Sequence, residues 1–276
     1  MLQIGKTNTL EVSRIVRFGV FLASDRGEVL LPRKYVPTGA AVGDSVDVFV
    51  YTDSEDRLTA TTQTPLARAG EFAALRVTDV IGIGAFLDWG LDKDLFVPRQ
   101  LQLRPMRKGK AYVVYVCLDD VSGRMIASSK LTPFFAQDTS ELTEGQKVEL
   151  LIHGQSDIGL GAVIDGKYSG LLFHSEVLAP LAVGDRCQGY VKQVRDDGKV
   201  DLALQPQGYV ALMEMQSSVI DELTTAGGFL PLTAKSDPGE IYRQFGISKK
   251  AFKKLIGDLY KRRRITISDD GIRLAE

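Results

Sequence analysis

One pattern of short strands and turns occurs three times along residues 1–204 of this chain. Each copy opens at a glycine that is followed by apolar residues, continues through a leucine-rich strand and reaches a second glycine in a turn. The markers are Gly19 and Gly43 in the first copy, Gly84 and Gly109 in the second, and Gly161 and Gly184 in the third. The separations within the pairs are 24, 25 and 23 residues. Such a constant spacing indicates one supersecondary unit that is used three times.

The strands of each copy alternate apolar and polar residues. In residues 46–50 the three valines take one side, while Asp47 and Phe49 take the other. A period of two, closed about every ten residues by Gly, Asp or Pro, predicts antiparallel sheets with one dry face. About five strands in a unit of this size fit the OB-fold barrel, which closes its own edges and binds oligonucleotides. An SH3-like barrel without a ligand fits the same pattern.

The last quarter of the chain has a different periodicity. From Pro206 onward, apolar residues recur at helical spacing until Gly227 and Gly228 end the run. The residues that carry this pattern are Tyr209, Leu212, Met213, Met215, Gln216, Val219, Ile220 and Leu223. We therefore predict a long helix here and a domain boundary just before it.

Two further helices and a hairpin are predicted after this helix. Asp237 is placed to cap a short helix over residues 240–245, with Pro238 at its first position. Gly246 ends this helix, and Ser248 caps the next one. Apolar residues at Phe252, Leu255, Ile256 and Leu259 share one face of the second helix, and a glycine turn joins two short strands over residues 265–274. A helix-turn-helix followed by a hairpin is a winged helix.

Positive charge is concentrated in this predicted winged helix. Residues 240–265 contain nine basic residues and two acids, a net charge of +7, although the whole chain carries −1. Such a segment is suited to contact phosphates, because each neutralised phosphate releases counterions. The predicted contacts are Lys249, Lys250, Lys253, Lys254, Lys261, Arg262, Arg263 and Arg264. A charged helix face that only keeps the domain in solution, or a winged helix that binds protein, fits the same charge pattern.

The predicted fold class is multidomain, mainly β plus α/β. Three tandem five-stranded OB-fold barrels occupy residues 1–64, 65–136 and 137–207, and the C-terminal winged-helix domain occupies residues 208–276. The longest apolar run is far below the roughly 18 to 20 residues that a membrane span needs. Residues 1–6 lack the features of a signal peptide. Together with two cysteines, Cys117 and Cys187, in strands of different copies, these features indicate a cytoplasmic protein without disulfides or membrane contact.

Catalytic and metal-binding patterns are absent from the sequence. The chain has two histidines, His153 and His174, and no Cys or acid is spaced around them as a metal ligand or triad partner. Residues 82–87 begin like a dinucleotide loop but lack the third glycine and the following helix. We therefore expect no enzyme activity, no metal and no cofactor.

Several motifs resemble a known RNA-binding domain. They include Phe-Gly-Val-Phe-Leu at residues 18–22, Leu-Phe-Val-Pro at 95–98, Val-Gly-Asp at 42–44 and Arg-Leu-Thr-Ala at 57–60. They are similar to the OB domain first described in ribosomal protein S1. Three such domains followed by a winged helix resemble the bacterial conserved virulence factor B (CvfB) family of RNA-binding regulators. This resemblance implies a cytoplasmic, non-catalytic protein that binds single-stranded RNA and influences gene expression.

The resemblance also indicates which residues contact RNA. Two aromatic residues around the first turn of such a domain stack on bases, and an Arg near the last strand lies beside the RNA backbone. The first copy supplies Phe18, Phe21 and Arg57, with Tyr35 nearby.

The second copy supplies Phe86 and Arg124 and adds Trp89, but it has Ile83 at the first aromatic position. The third copy has Leu160 and Val163 at both aromatic positions. Each exposed ring that stacks on a base contributes roughly 1 to 3 kcal/mol. We therefore expect the first two copies to carry most of the RNA affinity.

Two other functions fit the same pattern. A scaffold would dock components of the ribosome or the polymerase through the repeats. A repressor would bind duplex DNA through the winged helix alone.

Overall fold

The computed structural model describes residues 1–53, 55, 57–177, 180–205 and 208–275, and only the backbone of residues 208–214. Pro206 and the side chains of Tyr209, Leu212 and Met213, which belong to the predicted start of the long helix, lie outside this description. The chain forms two compact units. The first comprises residues 1–143 and 147–204, and the second comprises residues 144–146 and 205–276.

The first barrel (barrel 1) is built from five strands. They are β1 (Thr7–Val16), β2 (Gly19–Leu22), β3 (Val29–Pro32), β4 (Ser45–Thr52) and β5 (Leu58–Thr61). The sheet closes in the order β1-β2-β3-β5-β4, with β3 and β5 parallel and the other pairs antiparallel. Val20 and Leu22 point into the barrel and are buried, while Phe21 between them points outward. The alternation of the sequence thus produces a dry interior and an outer face.

The next two barrels repeat this topology. Barrel 2 contains β6 (Phe72–Ile81), β7 (Gly84–Asp88), β8 (Leu95–Pro98), β9 (Ala111–Leu118) and β10 (Met125–Ser128). Barrel 3 contains β11 (Lys147–Gln155), β12 (Gly159–Ile164), β13 (Tyr168–Phe173), β14 (Arg186–Val194) and β15 (Val200–Ala203). Three closed five-stranded barrels confirm the predicted fold class of this part of the chain.

The marker glycine of the third copy is Gly159, and the prediction of Gly161 is wrong. Gly19 and Gly84 open the second strand of their barrels, opposite Pro32 and Pro98, and Gly159 holds the same place opposite Phe173. A Cβ at each of these three glycines would lie 2.2 to 2.4 Å from a carbonyl oxygen of the third strand, so only glycine fits. The residues opposite each other in the strand pairs therefore place Gly161 where the first two barrels have Phe21 and Phe86.

Outward aromatic side chains join barrels 1 and 2. Phe49 and Tyr51 lie on β4 and pack against Trp89, which follows β7. Phe49 meets the Trp89 ring edge to face at 5.6 Å, and Tyr51 does so at 6.4 Å. Desolvation in this cluster raises the pKa of Tyr51 to about 12. The two barrels therefore share a continuous apolar core.

A second apolar cluster joins barrels 2 and 3. Phe72 on β6 stacks on Phe135 with a centroid separation of 5.1 Å and a plane angle of 10°. Leu151 and Val163 on the outer side of barrel 3 are buried in the same cluster. The outer face of barrel 3 is thus partly covered by its neighbour.

The second unit contains three helices and a small sheet. The elements are α1 (Gly208–Thr225), β16 (Phe229–Leu230), α2 (Pro238–Phe245), α3 (Lys249–Lys261), β17 (Ile265–Ile267) and β18 (Ile272–Leu274). The sheet has the order β16-β18-β17, so the apolar pair Phe229–Leu230 adds a third strand to the predicted hairpin. This architecture is consistent with a winged helix and confirms the predicted class of the C-terminal region.

The sequence signals at the helix ends act as predicted. The Asp237 carboxylate accepts hydrogen bonds from the backbone N–H groups of Gly239 and Glu240 at 2.7 and 3.2 Å, and Pro238 occupies the first helical position. Gly246 adopts a left-handed backbone conformation, with a φ of 67°, and α2 ends there. The Ser248 hydroxyl then accepts from the backbone N–H of Ala251 at 3.2 Å and starts α3. None of the helices among the described residues is both long and apolar enough to cross a membrane.

Candidate nucleic-acid interface

The outer face of barrel 1 presents an aromatic pair beside the turn between β1 and β2. Phe18 is 60% exposed, and Phe21 is half-buried on the outward side of β2. Their rings meet edge to face, with centroids 6.2 Å apart. Both belong to the predicted RNA-contacting residues, and they lie on the strand face that OB folds use for oligonucleotides.

Arg14 completes this surface, which we name the barrel 1 aromatic surface (Arg14, Phe18 and Phe21). Its guanidinium carbon lies 3.8 Å from the centroid of Phe21. Two nitrogens of the same group donate to the Glu28 carboxylate at 2.7 and 2.9 Å. This hydrogen bonding raises the pKa of Arg14 and lowers the pKa of Glu28. Glu28 thus holds Arg14 over the ring of Phe21, and Phe18 is the more open ring.

Barrel 2 presents a related pair, the barrel 2 aromatic surface (Phe86 and Phe96). Phe86 on β7 and Phe96 on β8 are half-buried on the outer face, with ring centroids 5.2 Å apart. Ile83 occupies the position of Phe18 and is 71% exposed. Phe96 is not among the residues predicted from the sequence. The alternation of β8 could have indicated it, because Leu95 and Val97 on either side face inward and Phe96 therefore faces outward.

Barrel 3 has no aromatic residue at either of the two equivalent positions. Ile158 stands at the position of Phe18, and Gly161 stands at the position of Phe21. The predicted equivalents are wrong because this region of the third copy has two glycines, and the strand pairing aligns Gly159, not Gly161, with Gly19 and Gly84. Leu160 points into the barrel, and Val163 is covered by barrel 2.

Trp89 is not available for stacking on a base, contrary to the prediction. The side chain is 1% exposed in the core that joins barrels 1 and 2. Its indole Nε1–H donates to the backbone carbonyl of Lys93, so the polar atom of the ring is also satisfied. Its position in sequence beside the exposed turn gave no sign that the neighbouring barrel covers it.

Tyr35 also differs from the prediction. Its ring is only 9% exposed and belongs to the core of barrel 1. The ammonium of Lys34 lies 4.8 Å from the ring centroid, and Lys34 forms an ion pair with Asp92 of barrel 2. Tyr35 therefore stabilises barrel 1 and does not offer a free face to a base.

The two predicted arginines, Arg57 and Arg124, are exposed and directly precede the last strands of their barrels. Arg57 pairs with Asp53 at 2.9 Å and with Glu55 at 2.7 Å. Two carboxylates thus contact its guanidinium and compete with a phosphate for the same donors. Arg124 follows a turn in which the Asp119 carboxylate accepts from the hydroxyl of Ser122 at 2.5 Å.

The second unit gathers four lysines on one face of α3. Lys250, Lys253, Lys254 and Lys261 are exposed, and together with Gly257 and Asp258 they line a shallow groove of about 440 Å³. We name this the α3 lysine groove. The opposite face of α3 buries the four predicted apolar residues in the core of this unit. In a helix-turn-helix the second helix is the one that lies in a nucleic-acid groove.

The other predicted basic residues lie outside this groove. The ammonium of Lys249 is half-buried and donates to the backbone carbonyl of Lys235 at 3.1 Å. Arg262, Arg263 and Arg264 are exposed directly after α3, and Arg262 contacts Asp258 at 3.1 Å. Within the described part of the chain, no group of three or more His, Cys, Asp or Glu residues is arranged to hold a metal ion.

Comparison with known families matches two parts of the chain. Residues 4–63 match the S1 domain family, and residues 217–274 match the CvfB-like winged helix domain family. Barrel 1 is thus similar to an S1 domain, and the second unit is similar to a CvfB-like winged helix domain. Both are families of nucleic-acid-binding domains and not of enzymes. The S1 domain includes the whole barrel 1 aromatic surface, and the CvfB-like domain includes the α3 lysine groove.

The chain is similar along most of its length to two bacterial proteins. It is 28% identical over 272 residues to the uncharacterized protein YitL of Bacillus subtilis (strain 168), covering 95% of this chain and 90% of the relative. It is 25% identical over 243 residues to conserved virulence factor B of Staphylococcus aureus (strain USA300), covering 85% and 81%. These comparisons confirm the resemblance to the conserved virulence factor B family.

A solved structure is similar over the same length. It is a multidomain protein with nucleic acid binding domains from Streptococcus pneumoniae, 24% identical, with 98% of each chain covered and a TM-score of 0.45.

Proposed function

We propose that this protein binds single-stranded RNA and regulates gene expression in the cytoplasm without catalysing a reaction. The barrel 1 and barrel 2 aromatic surfaces stack on unpaired bases, and the α3 lysine groove adds an electrostatic contact with phosphates. The observation that carries the proposal is the pairing of the exposed Phe18 with Phe21 and Arg14 on the ligand-binding face of an S1 domain.

The chemistry of these surfaces favours unpaired RNA over a duplex. A ring such as Phe18 stacks only on a base whose face is open, and in a duplex the neighbouring pairs cover that face. Stacking tolerates every base, because each base has a π-face. The four lysines of the α3 lysine groove add contacts to the backbone that depend on salt and not on sequence.

Fluorescence anisotropy of a labelled oligouridine of about 16 nucleotides tests the proposal, because one OB fold covers roughly 4 to 16 nucleotides. The intact chain is titrated at several KCl concentrations. We expect binding at micromolar protein that weakens as salt rises. F18L and F86L keep apolar bulk but remove the rings, and each is expected to weaken binding about tenfold.

V42A is the matched control, because Val42 is 61% exposed and lies in the turn before β4. It is expected to bind like the unchanged protein. The proposal fails if the intact chain shows no salt-sensitive binding, or if V42A weakens binding as much as F18L does. The same titration with a DNA duplex tests the repressor alternative, in which the duplex binds more tightly than the single strand.

A further inference from the structure

A cleft of about 880 Å³ lies in the first unit between barrel 3 and the segment that leads into it. One wall is formed by segment 129–139. The other is formed by the outer side of β12 and β13 and by the turn between β14 and β15. The cleft therefore opens on the outer face of barrel 3 that is equivalent to the faces carrying the aromatic surfaces of barrels 1 and 2.

His153 lines this cleft, and the residues at the equivalent position of the other two barrels have small hydroxyl side chains. A β-bulge interrupts the pairing of the first two strands in each barrel, and the bulged residue is Ser13, Thr78 or His153. The Ser13 and Thr78 hydroxyls donate to the backbone carbonyls of Phe21 and Phe86 at 3.0 and 3.1 Å. A bulge redirects a side chain and is frequent beside binding sites.

The His153 ring fills the space that a phenylalanine would occupy. A Cβ at Gly161 would lie 2.7 Å from the imidazole, so the ring rests directly on this glycine. The Phe135 ring faces it at a centroid distance of 5.9 Å and an angle of 38°. Barrel 3 thus has an imidazole where barrels 1 and 2 have a phenyl ring.

The imidazole has an unused hydrogen-bonding atom. His153 Nε2 is buried beside Gly161 and has no hydrogen-bond partner among the described residues, so a ligand in the cleft reaches it when the imidazole turns away from Gly161. A buried polar atom without a partner is unfavourable, so a ligand that supplies the missing hydrogen bond binds more tightly than one that does not. Desolvation lowers the pKa of His153, and the ring is therefore neutral at physiological pH. A neutral imidazole forms one directed hydrogen bond at Nε2.

Charged side chains border the same cleft. Arg195 Nη2 lies 2.9 Å from Asp201 Oδ2, and Lys199 Nζ lies 2.6 Å from Asp197 Oδ2. Lys130 adds an exposed ammonium on the opposite wall. Three cations and two carboxylates leave a local excess of positive charge, which favours a phosphate beside the cleft.

We propose that this cleft holds one unpaired nucleobase of an RNA strand and recognises it by a hydrogen bond to His153 Nε2. Phe135, which lines the cleft beside the imidazole, packs against the bound base. The inference rests on the proposed function and adds base preference to it. Barrels 1 and 2 stack on any base, whereas a buried hydrogen-bonding atom rejects a base that leaves it unpaired.

Nuclear magnetic resonance of the imidazole nitrogens in the full chain tests this proposal directly. The chain has only two histidines, so the signals of His153 are identified by their loss in H153T. The probes are the four ribonucleoside monophosphates UMP, CMP, AMP and GMP, each titrated to millimolar concentration. We expect the Nε2 signal of His153 to shift, with about tenfold different affinities for the best and the worst nucleotide.

A glycine pair provides matched variants for the position of the ring. G161A leaves His153 in the chain but pushes the imidazole from its place, while a Cβ at Gly154 on the opposite strand meets nothing within 4 Å. G161A is therefore expected to abolish the nucleotide preference, and G154A is expected to keep it.

The double variant H153T/G161F separates recognition from stacking. It rebuilds in barrel 3 the Thr78 and Phe86 arrangement of barrel 2, so it is expected to bind labelled oligouridine as tightly as the unchanged chain. Its preference among the four nucleotides is expected to fall below about twofold, because no buried acceptor or donor is left to select a base.

The proposal is overturned if the His153 signal does not shift with any nucleotide, if all four bind equally, or if G154A and G161A behave alike. These outcomes do not depend on the barrel 1 and barrel 2 aromatic surfaces, because the measured signal comes from His153 in barrel 3 and a mononucleotide is too short to contact two barrels at once. Nucleotide preference without binding of oligouridine would contradict the proposed function and leave the cleft as a nucleotide pocket. Binding of oligouridine with a silent His153 would contradict the cleft alone.

Discussion

Barrel 2 has an exposed isoleucine, Ile83, at the position where barrel 1 has the exposed ring of Phe18. Ile83 and Phe18 precede the same glycine of their barrels and are similarly exposed. An aliphatic side chain offers a base contact area but no π-face. We therefore expect I83F to strengthen oligouridine binding about tenfold and F18I to weaken it about tenfold, as measured by anisotropy.

V42F controls for a general effect of added apolar surface. Its ring would be as exposed as that of I83F but would lie in the turn before β4, away from the strand face. It is expected to leave the affinity unchanged. Equal gains for V42F and I83F would show that surface apolarity, and not the position of the ring, determines binding.

His153 also predicts how stability depends on pH. Its pKa in the folded protein is lowered by desolvation from the ordinary value of 6.5. The unfolded chain therefore binds more protons than the folded chain as pH falls below about 6.5, and the free energy of unfolding decreases with falling pH. H153T removes this contribution, so the loss of stability between neutral and mildly acidic pH is expected to be smaller than in the unchanged chain. Urea unfolding at several pH values measures the difference.

The α3 lysine groove depends on a glycine inside a helix. Gly257 lies between the lysines, and a Cβ there would meet nothing within 4 Å. Glycine in a helix interior costs about 1 kcal/mol relative to alanine, so G257A is expected to stabilise the second unit by about that amount. Urea unfolding followed by helical circular dichroism measures the gain.

A gain in stability without any change in nucleic-acid affinity would show that the open floor of the groove is not used. We expect instead that G257A weakens oligouridine binding, because the added methyl group keeps a phosphate away from Lys253 and Lys261.

Local elements could be predicted from the sequence where a local pattern determines them. The alternation in β4 and the capping residues Asp237 and Ser248 act within a few residues, so the strands and helices follow from them. The burial of Trp89 could not be predicted, because the residues that cover it lie on β4, about 40 positions earlier. The register of β12 could not be predicted, because the sequence has glycines at both 159 and 161 and only the pairing with β13 shows that Gly159 makes the close approach.

At the scale of the whole molecule, the core around Trp89 makes barrels 1 and 2 depend on each other. Trp89 is the only tryptophan of the chain, so its fluorescence reports on this junction. We expect emission that iodide quenches weakly in the folded protein and strongly after unfolding. W89A removes a large buried side chain and is expected to cost about 3 to 5 kcal/mol in urea unfolding.

Oligouridine binding provides the complementary test of this junction. Because the stacking surfaces lie elsewhere, saturating oligouridine is expected to leave the Trp89 emission unchanged. Strong quenching by RNA would show that the ring becomes accessible to a base and would contradict its structural role.

The two kinds of contact proposed for the whole chain have different salt signatures. Each phosphate neutralised on a single strand contributes about −0.7 to the slope of log K against log salt. Replacing the four groove lysines together by alanine is therefore expected to reduce the steepness by about 3 if all four contact phosphates. F18L is expected to lower the affinity at every salt concentration and leave the slope unchanged, because a ring that stacks releases no counterions. If the lysine variant keeps the original slope, the second unit does not contact RNA, and the aromatic surfaces of the barrels account for binding alone.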